Sequence, residues 1–255
     1  MTAIEISKVV TTKMIFPIIN GRKTEAGLQG LGFAGTGFFI SPHGLALTAA
    51  HVMRPNNDGS GKWVSRPETN PGFVSPVEWV VPLPNSDIAV VRVGLDEEAP
   101  CFDVHFRDLL LGEDIQATGL AECDMETGAD GVRYMLQRCA RGYISYGRDS
   151  WGAASFPLPA GMSGSPALSY GNGVDQVVGV FVGQKRGEVI EDLLEEVTEA
   201  ANGNQITRVE RISRVEYFAR VDVLAKHKNF RAPQFGTLTL AELINAEGGS
   251  VWPRT

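Results

Sequence analysis

Short apolar runs separated by Gly, Pro and Asn dominate the chain and predict β-strands joined by tight turns. The runs form two successive groups, one within residues 9–105 and one that begins near residue 113. Two such groups in succession are typical of two packed β-barrels or a double sandwich, here joined around residues 103–112. The predicted strands are 13–21, 35–41, 44–50, 77–83 and 87–94 in the first group, and 113–120, 134–147, 165–171, 176–184 and 215–223 in the second.

One internal segment has the spacing of a helix rather than that of a strand. Residues 187–203 repeat apolar positions three and four residues apart, which predicts an amphipathic helix inserted between two strands. An apolar helix face must be buried against a barrel or a partner. The apolar face would consist of Ile190, Leu193, Leu194 and Val197, and the acidic face of Glu188, Glu191, Asp192, Glu195, Glu196 and Glu199.

A second helix is predicted near the C-terminus, over residues 239–246. The sequence TLTLAELINAEGG has a capping-box pattern, in which Thr239 precedes Glu242 by three positions. The glycine pair that follows is typical of a helix end. We expect this helix to pack on a barrel.

The composition is that of a globular protein and argues against several functions. The chain has 255 residues, of which 43% are hydrophobic and 21% charged, which is enough to bury a sizeable core. The net charge of −7 makes non-specific binding to nucleic acid unfavourable. Cys101, Cys123 and Cys139 have neither the even number of a disulfide framework nor the spacing of a zinc site. We therefore expect no metal and no cofactor.

The sequence also favours a cytoplasmic protein. Charged and polar residues interrupt the opening segment MTAIEISKVVTTKMIFPIING, so it does not resemble a secretory signal. No segment approaches the ~18 consecutive apolar residues of a membrane span. Sparse cysteines suit a reducing compartment. We expect neither a membrane nor a nucleic acid among the partners.

One histidine stands at the end of the apolar run GLALTAAHV. His51 could move protons, because imidazole titrates near neutral pH, but a histidine after a strand is more often a structural residue. Its position alone therefore does not decide between the two interpretations. Other short motifs have to be considered with it.

A serine among small residues is the second candidate. In AGMSGSPAL, Ser163 could act as a nucleophile if a base removed its proton. Gly161 allows the backbone to turn so that the N–H groups of Gly161 and Ser163 point into one space, as an oxyanion requires. The alternative is an ordinary turn, since Gly, Ser and Pro are all turn residues.

An aspartate that directly precedes an apolar strand is the third candidate. In NSDIAVVRV, Asp87 could accept the Nδ1–H of a histidine and fix its tautomer. An acidic residue that only caps a strand is the commoner case for a single aspartate. Asp58, Asp96 and Asp103 also lie between the other two candidates. Asp58 lies in a polar loop and Asp96 in an acidic cluster, and neither precedes a buried strand, so Asp87 is preferred.

The order of the three candidates, His then Asp then Ser, is that of the two-barrel serine proteases. With GTGFFIS, LALTAAHV, SDIAVV, GMSGSPAL and VVGVFVG, the sequence resembles the trypsin-like (chymotrypsin-fold) serine peptidases over roughly residues 10–225. It is most similar to their bacterial branch, which includes the HtrA-type protease domain. The resemblance implies an all-β fold of two six-stranded antiparallel barrels, with a helical insertion at 187–203 and a short C-terminal helix.

By this resemblance, the chain is a serine endopeptidase that works in proteolysis through a catalytic triad. Ser163 would be the nucleophile, His51 the general base and then the general acid, and Asp87 the residue that orients His51. The N–H groups of Gly161 and Ser163 would form the oxyanion hole. Proteins and peptides are the implied substrates.

The sequence departs from the family at two points. Digestive relatives carry an aspartate before the nucleophile that pairs with a freed N-terminal amine, whereas this chain has Met162 there, so we expect no activation of that kind. Many HtrA-type relatives continue into a PDZ domain, whereas only ~30 residues follow the last barrel strand here. We expect a single peptidase domain over 1–255, with barrels at about 9–105 and 113–225 and a tail at 226–255.

The resemblance places the primary substrate pocket around Pro157, Phe181, Val182, Glu216 and Phe218. Pro157 in place of an acid suggests an apolar pocket. A carboxylate at Glu216 would instead favour substrate Lys or Arg, since alternation along the last strand puts it on the pocket side. The alternative is that Glu216 points to solvent beside the arginines at 214 and 220.

Function beyond peptide hydrolysis is less determined. In the family, the loop that carries the 187–203 insertion forms a wall of the primary pocket, so an acidic surface there would favour basic substrates. The simpler interpretation is that the acidic face of the insertion is only exposed to solvent. A cytoplasmic protease must be constrained, which favours a narrow substrate or a regulatory protein partner. The alternative function is a catalytically weak protease-fold module that binds rather than cleaves.

Overall fold

The structure, a computed structural model, consists predominantly of strands. It describes residues 6–10, 13–25, 27–65, 74–83, 86–127, 133–148, 151–171, 174–183, 190–200, 203–213, 216–221 and 238–252. Within these residues the strands are β1 (Ile6–Val10), β2 (Ile15–Thr24), β3 (Gly27–Phe39), β4 (Leu45–Ala49), β5 (Gly61–Ser65), β6 (Val74–Pro82), β7 (Ile88–Val93), β8 (Asp103–His105), β9 (Asp114–Thr127), β10 (Arg133–Arg148), β11 (Trp151–Ala154), β12 (Pro166–Gly171), β13 (Val174–Gly183), β14 (Ile190–Ala200), β15 (Gly203–Ser213), β16 (Glu216–Arg220) and β17 (Val251–Trp252). A 3-10 helix, η1, covers Ala50–Met53, and an α-helix, α1, covers Leu240–Ala246.

Six strands of the N-terminal half close into a barrel in the order β2-β3-β4-β7-β6-β5. Strands β4 and β7 are buried on both faces, which explains why their sequences are apolar except at Thr48 and Arg92. Alternate residues point into the barrel and out towards the second sheet. The inward residues of these strands include Ala46, Ala89 and Val91, which pack with Phe16 and Phe39. The outward residues include Leu45, Leu47, Ile88 and Val90, which pack with Val177 and Val180 of the second sheet.

A second ring of six strands follows from the pairings β12-β9-β10-β11-β16-β13, because β13 also pairs with β12. Its interior is filled by aromatic and small side chains, among them Phe156, Phe181 and Phe218. The aromatic ring of Phe181 lies between those of Phe156 and Phe218, and its centroid is 5.8 Å from the first and 5.6 Å from the second. The predicted all-β fold with two barrels is confirmed.

Three short strands extend the second ring beyond the predicted strands. Strand β8 pairs with β13, and β17 pairs with β8, both in parallel orientation. Strand β1 pairs in parallel with β10. Residues 6–10 and 103–105, which the sequence assigns to the first group or to the join, therefore belong to the second sheet. Parallel pairings of two to four residues leave little alternation in the sequence to reveal them.

The predicted helix at 187–203 is wrong. Residues 190–200 form strand β14, which pairs with β15 along its whole length, from Ile190↔Ser213 to Ala200↔Gly203; residues 187–189 and 201–202 lie outside the described residues. The register places acidic positions opposite arginine positions, as in Glu195↔Arg208 and Asp192↔Arg211. Pairing between β14 and β15 overrides the helical spacing.

The predicted C-terminal helix is confirmed as α1. Thr239 caps it, and the capping box with Glu242 is complete, since each side chain accepts from the other residue's backbone N–H. Leu240, Leu243 and Ile244 are buried in the core between the two barrels. Tail residues 226–237 and 253–255 lie outside the described residues. Among the helices in the described ranges, none has the length and apolar character needed to cross a membrane.

Candidate active site

His51 and Asp87 are brought together by the pairing of two neighbouring strands. Ala49 at the end of β4 lies opposite Ile88 at the start of β7, so the residues just beyond these positions are adjacent. The backbone N–H of Ala50 donates to the carbonyl oxygen of Asp87 at 2.8 Å. The apolar run that ends at His51 therefore fixes the position of the histidine backbone through the first barrel.

The Asp87 carboxylate contacts His51 through both of its oxygens. Its Oδ1 accepts from the backbone N–H of His51 at 2.9 Å, and its Oδ2 lies 2.6 Å from the imidazole Nδ1. A carboxylate only accepts hydrogen bonds, so this contact favours the tautomer with the proton on Nδ1. The Nε2 atom is then left as a proton acceptor. Both side chains are 30% exposed, as a site open to substrate requires.

Ser163 lies in a tight turn between two glycines with left-handed backbones. Gly161 has φ +94° and Gly164 has φ +91°. A Cβ atom on Gly164 would stand 2.0 Å from the carbonyl oxygen of Thr36, so no larger residue fits there. Met162, which stands where digestive relatives have an acid, is fully buried in the second barrel. The turn is therefore pressed against both barrels.

The second barrel fixes the direction of the two N–H groups expected to form the oxyanion hole. Peptide groups are planar, so an N–H points away from the carbonyl of the same peptide. The carbonyl before Gly161, that of Ala160, accepts from the N–H of Glu122 at 3.1 Å. The carbonyl before Ser163, that of Met162, accepts from the N–H of Ser165 at 3.0 Å. Within the described ranges, the N–H groups of Gly161 and Ser163 donate to no acceptor.

The first barrel holds the same turn through Thr36, a residue that the sequence analysis did not single out. The N–H of Thr36 donates to the carbonyl of Ser163 at 2.9 Å, and the Thr36 hydroxyl lies 3.2 Å from the carbonyl of Gly161. Thr48 donates to the carbonyl of Thr36 at 2.7 Å and precedes His51 by three positions. A short chain of hydrogen bonds thus joins the Ser163 turn to the strand that leads into His51. The sequence signal was a polar residue between two glycines in an otherwise apolar strand.

A cleft of about 340 Å³ opens beside Ser163. Residues of the second barrel line it, namely Leu158, Pro159, Ala160, Ser163, Phe181, Gly183 and Glu216. Apolar walls with one carboxylate are typical of a cleft that selects its ligand. Glu216 is only 1% exposed, so the interpretation in which it points to solvent is wrong.

Of the five residues expected around the primary pocket, the structure places two in the lining of the cleft and three elsewhere. Phe181 and Glu216 line the cleft. Pro157 is exposed and lies outside the lining, and Phe218 is fully buried in the second barrel. Val182 is half-buried and packs against the core between the barrels. The apolar walls come instead from 158–160, because the chain turns after Pro157 and these next residues lead into the Ser163 turn.

The β14–β15 hairpin originates at the cleft. Strand β13 ends at Gly183 and β16 begins at Glu216, and both residues belong to the lining. Gly183 also pairs with Tyr217 across the two strands. The segment that contains the hairpin is therefore connected along the chain, at both ends, to residues of the cleft wall.

The two rings of strands, with the His51–Asp87 pair and the Ser163 turn, define the class of trypsin-like peptidases. The family model of the trypsin-like peptidase domain matches residues 35–180, which include all three candidate residues. The chain belongs to this family.

Among solved structures, the chain is similar to the HtrA-type protease AlgW with decapeptide, with a TM-score of 0.54 and 13% identity. The likeness covers 84% of this chain and 62% of that chain, so this chain spans less than two thirds of the length of AlgW. At this identity, the likeness supports the fold alone. No curated protein matches the sequence.

Proposed function

We propose that the protein is a serine endopeptidase that cleaves peptide bonds through His51, Asp87 and Ser163. The observation that carries the proposal is the double contact of the Asp87 carboxylate with the backbone and the imidazole of His51. A carboxylate that only capped a strand would not need to contact Nδ1. The arrangement favours a histidine whose Nε2 accepts a proton, which is the requirement for activating a serine.

In the proposed reaction, Nε2 of His51 takes the hydroxyl proton of Ser163 while Oγ bonds to the substrate carbonyl carbon. The carbonyl electron pair moves onto oxygen, where the N–H groups of Gly161 and Ser163 stabilise the negative charge. His51 then gives its proton to the leaving amine as the C–N bond breaks, and an ester remains on Ser163. Water attacks this ester by the same route, releasing the acid and restoring Ser163.

A fluorophosphonate probe tests this proposal, because it forms a covalent bond only with an activated serine. We expect the wild type to be labelled and Ser163→Ala to lose both labelling and about six orders of magnitude in kcat. Ser165→Ala is the matched control, since Ser165 lies two positions away but is fully buried. Labelling that survives in Ser163→Ala, or disappears in Ser165→Ala with the fold intact, would contradict the assignment.

The second candidate function is a protease-fold module that binds but cleaves weakly until a partner acts on it. The origin of the β14–β15 hairpin at two cleft residues, Gly183 and Glu216, favours such gating. A wild type that folds but is never labelled by the probe, with or without peptide substrates, would favour this module over the peptidase.

We further propose that Glu216 gives the peptidase a preference for Lys or Arg before the cleaved bond. A carboxylate in a mostly apolar cleft gains most from pairing with a substrate cation, because water competes little there. The low exposure of Glu216 and its place in the lining beside Ser163 support this preference. An apolar pocket built from the residues at 158–160 is the competing specificity.

A peptide-library digest read by mass spectrometry distinguishes the two specificities. We expect wild-type cleavage after Lys or Arg, and a fall of roughly 30-fold or more in kcat/KM for these sites in Glu216→Gln, since leaving a buried substrate cation unpaired costs about 2–5 kcal/mol. Glu122→Gln is the matched control, because it removes one negative charge from an exposed position next to the Ser163 turn. Equal losses in both variants, or wild-type cleavage after apolar residues, would refute the role of Glu216.

A further inference from the structure

We propose that the hydroxyl of Thr36 is a positioning group that holds the oxyanion turn from the opposite barrel. The inference rests on the proposed function, and it concerns a residue that touches neither substrate nor the reacting atoms. Thr36 belongs to β3 of the first barrel, whereas the turn it contacts belongs to the second. Its side chain is fully buried, so water does not compete for these contacts.

The contacts of the hydroxyl are all with backbone atoms of the second barrel. It accepts from the N–H of Leu120 at 3.1 Å. Its single proton has two possible acceptors, the carbonyl of Gly161 at 3.2 Å and the carbonyl of Leu120 at 3.3 Å. The hydroxyl therefore bridges β9 and the Ser163 turn.

The position of these contacts along the turn is informative. The peptides that carry the two oxyanion N–H groups are held by Glu122 and Ser165, both of the second barrel. The two alternate peptides of the same turn are held by Thr36, through its hydroxyl at the Gly161 carbonyl and its N–H at the Ser163 carbonyl. Every peptide from 160 to 164 thus has a fixed carbonyl. Without the Thr36 hydroxyl, the peptide between the two oxyanion N–H groups loses its cross-barrel contact.

Loss of this contact should affect the chemical step more than substrate binding. The oxyanion forms only as Ser163 attacks, so a misdirected N–H at Gly161 weakens the transition state and leaves the cleft lining in place. Misplacement of a reacting group by about 1 Å costs roughly a hundredfold in rate. A purely structural role would instead lower the melting temperature and leave kcat per folded molecule unchanged.

Thr36→Val tests the inference, because valine keeps the shape and the backbone N–H and removes only the hydroxyl. We expect kcat to fall ten- to hundredfold with KM within about twofold of the wild type. The affinity for a peptide boronic acid, whose tetrahedral adduct on Ser163 places an oxygen in the oxyanion hole, should fall in parallel with kcat. Thr36→Ser restores the hydroxyl and should restore both.

Ser41→Ala is the control for lost stability, because Ser41 is a buried hydroxyl of the same barrel that accepts from Leu45 N–H, far from the turn. It should lower the melting temperature without changing kcat. If Thr36→Val does not fold, Thr36→Ser and Thr36→Ala replace it, since they differ by the hydroxyl alone. Equal kcat in the hydroxyl-bearing and hydroxyl-free variants would overturn the inference and leave the proposed function standing. A wild type without Ser163-dependent turnover would refute the proposed function itself.

Discussion

Replacing Asp87 with asparagine is expected to lower kcat by about four orders of magnitude while the fold remains intact. The reason is the double contact with His51. The carboxylate accepts from the backbone N–H and from Nδ1–H at once, whereas an amide has one accepting end and one donating end. If the amide oxygen keeps the backbone contact, its NH₂ faces Nδ1 and moves the imidazole proton to Nε2. The histidine then cannot take the proton of Ser163.

Steady-state kinetics on a peptide substrate, together with the melting temperature, measure this effect. Asp58→Asn is the matched control, because Asp58 also accepts from a backbone N–H and a side chain, both of Ser60, but lies in an exposed loop. It should retain wild-type kcat. A kcat for Asp87→Asn within tenfold of the wild type would mean that His51 is not oriented through this carboxylate.

Gly164→Ala is expected to inactivate the protein and to lower the free energy of unfolding by about 3–5 kcal/mol, from backbone strain and overpacking together. The new Cβ would stand 2.0 Å from the carbonyl oxygen of Thr36 and 2.4 Å from the hydroxyl of Thr48. The turn cannot move away easily, because the N–H of Gly164 donates to Phe181 at 2.7 Å. Relief therefore requires the first barrel and the Ser163 turn to separate.

Denaturant unfolding of Gly164→Ala and Gly59→Ala separates the clash from the strain. Gly59 has a similar left-handed φ of +74°, but nothing lies within 4 Å of a Cβ at that position. Gly59→Ala should therefore lose only the conformational part, about 1 kcal/mol, and remain active. Similar losses in the two variants would show that close packing against Thr36 is not what requires glycine at 164.

The candidate residues of the site were visible in the sequence because each stands in a distinctive local pattern. An apolar run fixes the position of His51, an apolar strand follows Asp87, and small residues surround Ser163. Such patterns are local, so they can be recognised without knowledge of the fold. The two barrels were predictable for the same reason, since period-2 burial and turn residues are also local.

What the sequence could not reveal depends on contacts between distant residues. Spacing at positions 190, 193, 194 and 197 favours a helix, but these residues instead form a strand that pairs with β15 along its whole length. The role of Thr36 depends on Leu120 and Gly161, which are 84 and 125 positions away. The pocket walls could not be placed either, because only the packing of the turn shows that Pro157 faces outward while Pro159 faces the cleft.

The ion pair between Arg92 in β7 and Glu247, just after α1, has a consequence for folding during synthesis on the ribosome. Two hydrogen bonds of 2.6 Å and 3.1 Å join these side chains across 155 positions. At about 5–20 residues per second, roughly 10–30 s pass between the synthesis of the two partners. During that interval the outward faces of β4 and β7 have no helix to cover them, so a nascent chain presents an apolar surface to chaperones. The interbarrel core is therefore complete only after α1 has been synthesised.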